Sequence, residues 1–217
     1  MLKEMTSAGI SPLVVSNLPL NEENRAKLAQ SSALILERPN VGYDFGRYRD
    51  GVLELAAQLS TLDRLWLLNY SVWSVHQATS WFDDARSLKT DFVGATSNFA
   101  MPRVDPHRFR EITWDFSFEH KIFHYASYAL GVGSAILKDP DFLKYWNKLE
   151  IRNDKSRTVR RGEIGLSQWV LARGFSHGAT YEVDKLDAEL ARMDDAEIDK
   201  IAQELIFPES PRLETQR

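Results

Sequence analysis

The 217-residue chain contains no cysteine. That excludes disulfide staples, thiolate nucleophiles and cysteine-ligated zinc, and it suits a reducing cytoplasm. Basic charge is not in excess either: 27 Lys and Arg stand against 31 Asp and Glu, a formal net charge of −4. The electrostatic pull towards phosphate backbones is therefore weak, and no nucleic-acid partner is expected. One basic stretch, RNDKSRTVRR at residues 152–161, is short and interrupted, and it reads as a solvated loop. No apolar run approaches the roughly 20 residues of a membrane span, and no signal-type segment follows Met1, so a soluble protein is expected.

Several chemical signatures are missing as well. The sequence has no Gly-x-Gly-x-x-Gly loop, no Walker-type Gly-Lys-Ser/Thr, no His-Glu-x-x-His and no Gly-x-Ser-x-Gly elbow. Of its five histidines only His120 and His124 are spaced i, i+4, and they lie in strand-like surroundings, so a zinc centre is not expected.

What is present is an ordinary globular composition, 43% hydrophobic and 27% charged, in a length that suits one domain with a sizeable core. Strand-like and helix-like segments alternate. SPLVVSNLPL reads as a strand, NEENRAKLAQ as a helix with Asn21 as its N-cap, and SALILE as a second strand. The stretch ERPNVGYDFGRYRDG reads as a loop, and RDGVLELAAQL as a helix with Val52, Leu55, Ala56 and Leu59 on one face. RLWLL and DFVGATS are further strands, separated by the helix SWFDDARSL. Residues 98–115, with two prolines and little periodicity, read as a long loop or flap, and HKIFHYASYALGVGSAIL begins strand-like and becomes helical. DPDFLKYWNKL and RGEIGLSQWVLARGF are helices, and DAELARMDDAEIDKIAQEL is a charged terminal helix followed by a tail.

Such alternation predicts an α/β domain with a mainly parallel central sheet over residues 1–180, followed by the charged helix and tail of 181–217. In open sheets of this type ligands collect at the carboxyl ends of the strands. Asn17, Asn40, Gly42, Asp44, Asn69, Ser71, Thr96 and Ser97 all fall at predicted strand ends. They suit a nucleotide's polar groups and equally suit plain turns, which favour the same residue types.

Five motifs in register point further: R-x-N-x-G-x-D-F-G at residues 38–46, N-x-S-V at 69–72, D-F-x-G-x-T at 91–96, H-x-x-S-Y at 124–128 and E-x-G-L-S at 163–167. Together they resemble the rhamnan synthesis protein F family, whose members are glycosyltransferase-like and act in bacterial cell-surface polysaccharide synthesis. The resemblance implies a GT-A-like nucleotide-binding sandwich and an inverting, rhamnosyltransferase-like activity. It implies donor contacts from Arg38, Asn40, Gly42, Asp44, Asn69, Ser71 and Thr96. Arg47, outside those motifs, is read from its charge alone as able to bind phosphate and equally as a solvated or ion-paired arginine. Glu163 is the implied general base, and His124 a contact to diphosphate or acceptor. Implied partners are a nucleotide-sugar, dTDP-rhamnose above all, and a glycan or lipid-linked glycan acceptor met at the inner face of the membrane, with polysaccharide-assembly proteins nearby.

The chain departs from the family pattern in three places. Tyr70 stands where the family carries an Asp of the metal-binding type, so the magnesium or manganese that the resemblance implies would need another carboxylate, Asp91 or Asp44. Ala126 stands where Gln is common, and the family's first strand would precede Met1. These departures support an alternative expectation, a non-catalytic nucleotide-sugar- or glycan-binding relative or scaffold.

Overall fold

The computed structural model describes residues 1–70, 79–99, 108, 111 and 113–204. A short helix α1 (Leu2–Ser7) precedes β1 (Leu13–Ser16), α2 (Glu22–Ala29) and β2 (Leu34–Glu37). The two strands pair in parallel, from Leu13 beside Leu34 to Ser16 beside Glu37. Asn21 caps α2 as expected, its side chain accepting from the Asn24 amide at 2.8 Å.

Helix α3 (Tyr43–Glu54) begins inside the stretch that composition marks as a loop. The difference lies in Gly46. A β-carbon there would stand 2.2 Å from the Val41 carbonyl oxygen and 2.9 Å from Arg38 Nη2. The glycine serves close approach of residues 38–41 to the first turn of the helix rather than a turn of its own, and composition does not separate the two uses.

A five-stranded sheet forms the centre. It comprises β3 (Arg64–Leu68), β4 (Phe92–Asn98), β5 (His124–Tyr125), β6 (Ala129–Gly133) and β7 (His177–Tyr181). β6 lies between β3 and β4 and runs antiparallel to both, β5 pairs antiparallel with the far end of β4, and β7 pairs with β4 in parallel. The sheet is therefore mixed, which corrects the expectation of a mainly parallel one. β3 and β4 do run the same way, as the strand–helix–strand pattern requires, with α4 (Trp81–Ser87) between them in sequence. After β4 the next strands, β5 and β6, run in the direction opposite to it. Nothing in the alternation of residues within a strand encodes that direction.

Register divides the side chains between two faces. Trp66, Gly131, Val93 and Gly178 stand in one row across β3, β6, β4 and β7. The Trp66 indole meets Trp81 and Phe82 of α4 edge-on, with ring centroids at 5.3 and 5.1 Å. The alternate rows, Leu65–Val132–Phe92–His177 and Leu67–Leu130–Gly94–Ala179, belong to the opposite face. The main core gathers Phe45, Tyr48 and Val52 of α3, Phe142 and Trp146 of α6 (Pro140–Lys148), and Leu166 and Val170 of α8 (Gly165–Ala172). α5 (Ser134–Leu137) leads into α6, where Asp139 caps and Pro140 takes the first helical position.

α7 (Lys155–Thr158) runs into α8 through a π turn at Val159–Ile164, so Glu163 sits within a continuous helical stretch and not at a helix start. β7 carries a glycine and no apolar alternation; it becomes a strand because β4 offers it a ladder, and the sequence alone does not mark it. The charged terminal segment forms two helices, α9 (Leu186–Leu190) and α10 (Asp195–Glu204), and neither buries a residue. Among the described residues no helix is long and apolar enough to cross a membrane.

Two predictions follow from this packing. A β-carbon on Gly162 would lie 2.4 Å from the Phe45 ring, which is itself stacked on Trp146 at 5.9 Å. Gly162→Ala should cost about 1–3 kcal/mol, read as a lower denaturant midpoint at unchanged slope. The second concerns His177, whose Nδ1 lies 2.6 Å from the Tyr125 hydroxyl. Burial raises the Tyr125 phenol well above its usual range, so the hydroxyl is the donor and the imidazole the acceptor. Burial also holds His177 below 6.5. Below pH 6.5 the unfolded chain then binds the proton that the fold refuses, so this contribution is complete above that pH and declines as pH falls towards the folded value. Unfolding midpoints at pH 7 and pH 5 should therefore differ less in His177→Asn than in the wild type.

Candidate functional site

Three residues between β5 and β6 organise the carboxyl end of the sheet. Ala126 donates its amide to the Thr96 carbonyl of β4 at 3.0 Å, and the amide of Asn69, just past β3, donates to the Tyr128 carbonyl at 3.1 Å. The Ser127 amide donates to Glu163 Oε1 at 2.6 Å, while the Ser127 carbonyl accepts from the Tyr48 hydroxyl of α3 at 2.7 Å. Tyr128 Oη and Thr96 Oγ1 are 2.9 Å apart. Burial, and next the charge of Asp44, keep the Tyr48 phenol protonated well above its ordinary range, so it remains a donor. This crossover thus ties α3, the π turn and both strand ends together.

On the α3 side, Asp44 lies in the first helical turn. Its Oδ2 accepts from Asn69 Nδ2 at 2.8 Å, and its Oδ1 is paired with the Arg47 guanidinium one turn on. Asn69 is one of the few buried polar residues, 7% exposed. The Arg47 guanidinium stands 5.2 Å from the centre of the Tyr70 ring, and Tyr70 is 80% exposed. Gly42 enters the helix at φ 82° and Tyr43 follows at φ 52°, a left-handed conformation that costs a non-glycine residue about 1–3 kcal/mol. Asn153 stabilises the entry, its side-chain oxygen accepting from the Gly42 amide at 3.1 Å.

On the other side, Glu163 is aimed by the π turn, a feature that recurs at functional positions. Ser167 fixes the turn: its hydroxyl donates to the Glu163 carbonyl at 3.0 Å and accepts from the Tyr125 amide at 2.9 Å. His124 Nδ1 donates to the Ile122 carbonyl at 2.8 Å, which turns Nε2 towards Glu163 Oε2 at 3.9 Å, beyond hydrogen-bond range. Both side chains are largely but not wholly buried, at 14% and 16% exposure.

Asp44, Asn69, Thr96, His124 and Glu163 are therefore linked through one crossover. The other sequence-derived candidates fall differently. Arg38 is 9% exposed and is used within the fold, bonded to Asp50, to Asn17 Oδ1 at 3.0 Å and to the Val41 carbonyl at 2.8 Å. Asn40 is exposed on the same loop. Ser71 lies outside the described residues. Asp91 precedes β4 at the opposite end of the sheet, where its carboxylate accepts from the amide and hydroxyl of Ser176 at 3.0 and 2.7 Å. Tyr48, which sequence reasoning missed, carries no signal beyond one more aromatic residue on a helix.

Asp44 does not fit a divalent ion. Both of its oxygens are engaged, one by an amide and one by a guanidinium, and a cation in the ligand position opposes magnesium or manganese. Among the described residues no three His, Asp or Glu side chains gather into a metal-binding set.

Comparison with known proteins agrees with the motif pattern. The family model described as rhamnan synthesis protein F matches residues 13–211. The chain is 32% identical over 181 residues to the uncharacterized protein y4gN of Sinorhizobium fredii (strain NBRC 101917 / NGR234). That alignment covers 83% of this chain and 43% of the relative, so the chain spans less than half the length of the curated protein it matches. No solved structure matches it. With nearly its whole length matched, the chain belongs to the rhamnan synthesis protein F family, a family of polysaccharide synthesis.

Proposed function

We propose that this chain is a glycosyltransferase domain that moves a sugar from a nucleotide-diphosphate donor to a growing bacterial cell-surface polysaccharide. Family membership supports the pathway, and the polar cluster at the carboxyl ends of β3 and β4 supports a ligand site there. In this reading the sandwich is GT-A-like, and Asp44, Asn69 and Thr96 shape the donor side. The donor of choice is dTDP-rhamnose, and the acceptor is a glycan or lipid-linked glycan. A lipid-linked acceptor brings the protein to the cytoplasmic face of the membrane.

The observation that carries the proposal is Glu163. One oxygen is anchored by the Ser127 amide at 2.6 Å and the other faces His124, so the carboxylate is held in one orientation while still partly open to solvent. Such a group is suited to general-base work. The acceptor hydroxyl gives its proton to Glu163 Oε2, and its oxygen forms a bond to the anomeric carbon. The bond from that carbon to the diphosphate breaks, and the nucleoside diphosphate leaves with the electron pair. His124 orients the acceptor beside the carboxylate.

Glu163→Gln keeps the shape and the anchor to Ser127 but removes the base. Turnover of dTDP-rhamnose with a rhamnan oligosaccharide acceptor should fall by about 10²–10⁴-fold, while calorimetric donor affinity stays within twofold. Undiminished turnover removes Glu163 from the base role. Donor binding by the wild type without turnover on any acceptor favours the non-catalytic nucleotide-sugar-binding reading.

A further inference from the structure

The donor reading leaves a charge to be answered, since a nucleotide diphosphate brings about two negative charges into the site, and Asp44 is not available to a metal. We infer that Arg47, held by Asp44 and covered by Tyr70, is the cation that receives the donor's diphosphate, so that donor binding needs no divalent metal. The inference rests on the proposed function and names how this chain carries it out.

Four observations carry it. Arg47 lies one turn into α3, a 12-residue helix whose N-cap Gly42 supplies no side-chain cap, and the dipole of such an amino end favours a nearby anion. Its side chain is only 17% exposed, so its charge is poorly screened compared with a surface arginine. Among the described residues its hydrogen bonds go to Asp44 alone, leaving further guanidinium donors in the fork geometry that suits phosphate. Tyr70 places an aromatic ring 5.2 Å from the guanidinium, a cation–π contact that steadies an arginine and offers nothing to a magnesium or manganese ion.

The pair is also internally consistent. Asp44 is fixed from behind by Asn69 Nδ2 at 2.8 Å, so the Asp44–Arg47 pair is oriented rather than free to collapse. An Asp at position 70 would compete for the same guanidinium. A Tyr there keeps the positive end of the pair open to an anion. The ring is exposed enough to move aside or to lie against a bound nucleotide.

The test is calorimetric titration of the purified chain with dTDP and dTMP, first in EDTA and then with manganese, for the wild type, Arg47→Gln and Tyr70→Asp. The expected result is wild-type dTDP affinity that EDTA leaves unchanged. Arg47→Gln should weaken dTDP about tenfold or more, and dTMP, with one phosphate fewer, by less. Tyr70→Asp changes an exposed side chain and so spares the fold; it should lower metal-free dTDP affinity and make binding respond to manganese. Three results overturn the inference while leaving nucleotide binding, and hence the proposed function, standing. They are wild-type binding abolished by EDTA and restored by manganese, dTDP affinity unchanged in a folded Arg47→Gln, and metal-free affinity unchanged in Tyr70→Asp. Failure of the wild type to bind dTDP, UDP or GDP under any condition overturns both.

Discussion

Ser127 is gripped from two sides, its amide by Glu163 and its carbonyl by Tyr48, and the rest of the site depends on that grip. A typical hydrogen bond adds only about 1 kcal/mol net, but a buried group left without its partner costs about 1–3 kcal/mol. Tyr48 is buried and its phenol is held protonated, so the carbonyl it serves has a permanent donor. The same three-residue crossover is bonded to Thr96 and to the amide of Asn69. Residues 126–128 therefore join α3 and the π turn to both strand ends.

The core explains why the π turn can stay where it is. Gly162 lets the Phe45 ring lie directly against the turn, and Phe45 in turn stacks on Trp146. The Tyr145 hydroxyl reaches the carbonyls of Arg161 and Gly162 at 2.8 and 3.1 Å, taking up backbone acceptors that the widened turn exposes. Three aromatics and a glycine, none of them a polar group of the site, thus set the direction of the Glu163 carboxylate. A wholly buried aromatic core is stiff, and stiffness is what a positioned carboxylate requires.

Charge is distributed across the site in a definite sense. The α3 side ends in an arginine paired with one carboxylate and stacked near an exposed tyrosine, whereas the π-turn side ends in a carboxylate facing an imidazole. The first arrangement suits a leaving anion and the second suits a hydroxyl about to lose its proton. Between them stand Asn69, which donates to Asp44, and the Thr96–Tyr128 hydroxyl pair, uncharged side chains that hold their neighbours in place.

Local chemistry written in the chain was enough for several features. Asn21 marks the start of α2, and strands β1 to β4 stand out by their β-rich runs. The five motifs identify the family and bring Asp44, Asn69, Thr96, His124 and Glu163 to notice. Tertiary structure decided the rest, because those features depend on partners far away in sequence. The direction of β6 and the existence of β7 come from the edges of β4, not from their own residues. Gly46 belongs to a helix because Val41 and Arg38 press against it, and Arg38 turns inward because Asp50 and Asn17 are there to meet it. Asp91 and Asp44 stand as alternative metal carboxylates in the sequence, yet the fold puts them at opposite ends of the sheet. Residue type and spacing determine which elements form and which groups are chemically able; only three-dimensional packing determines which of those groups meet.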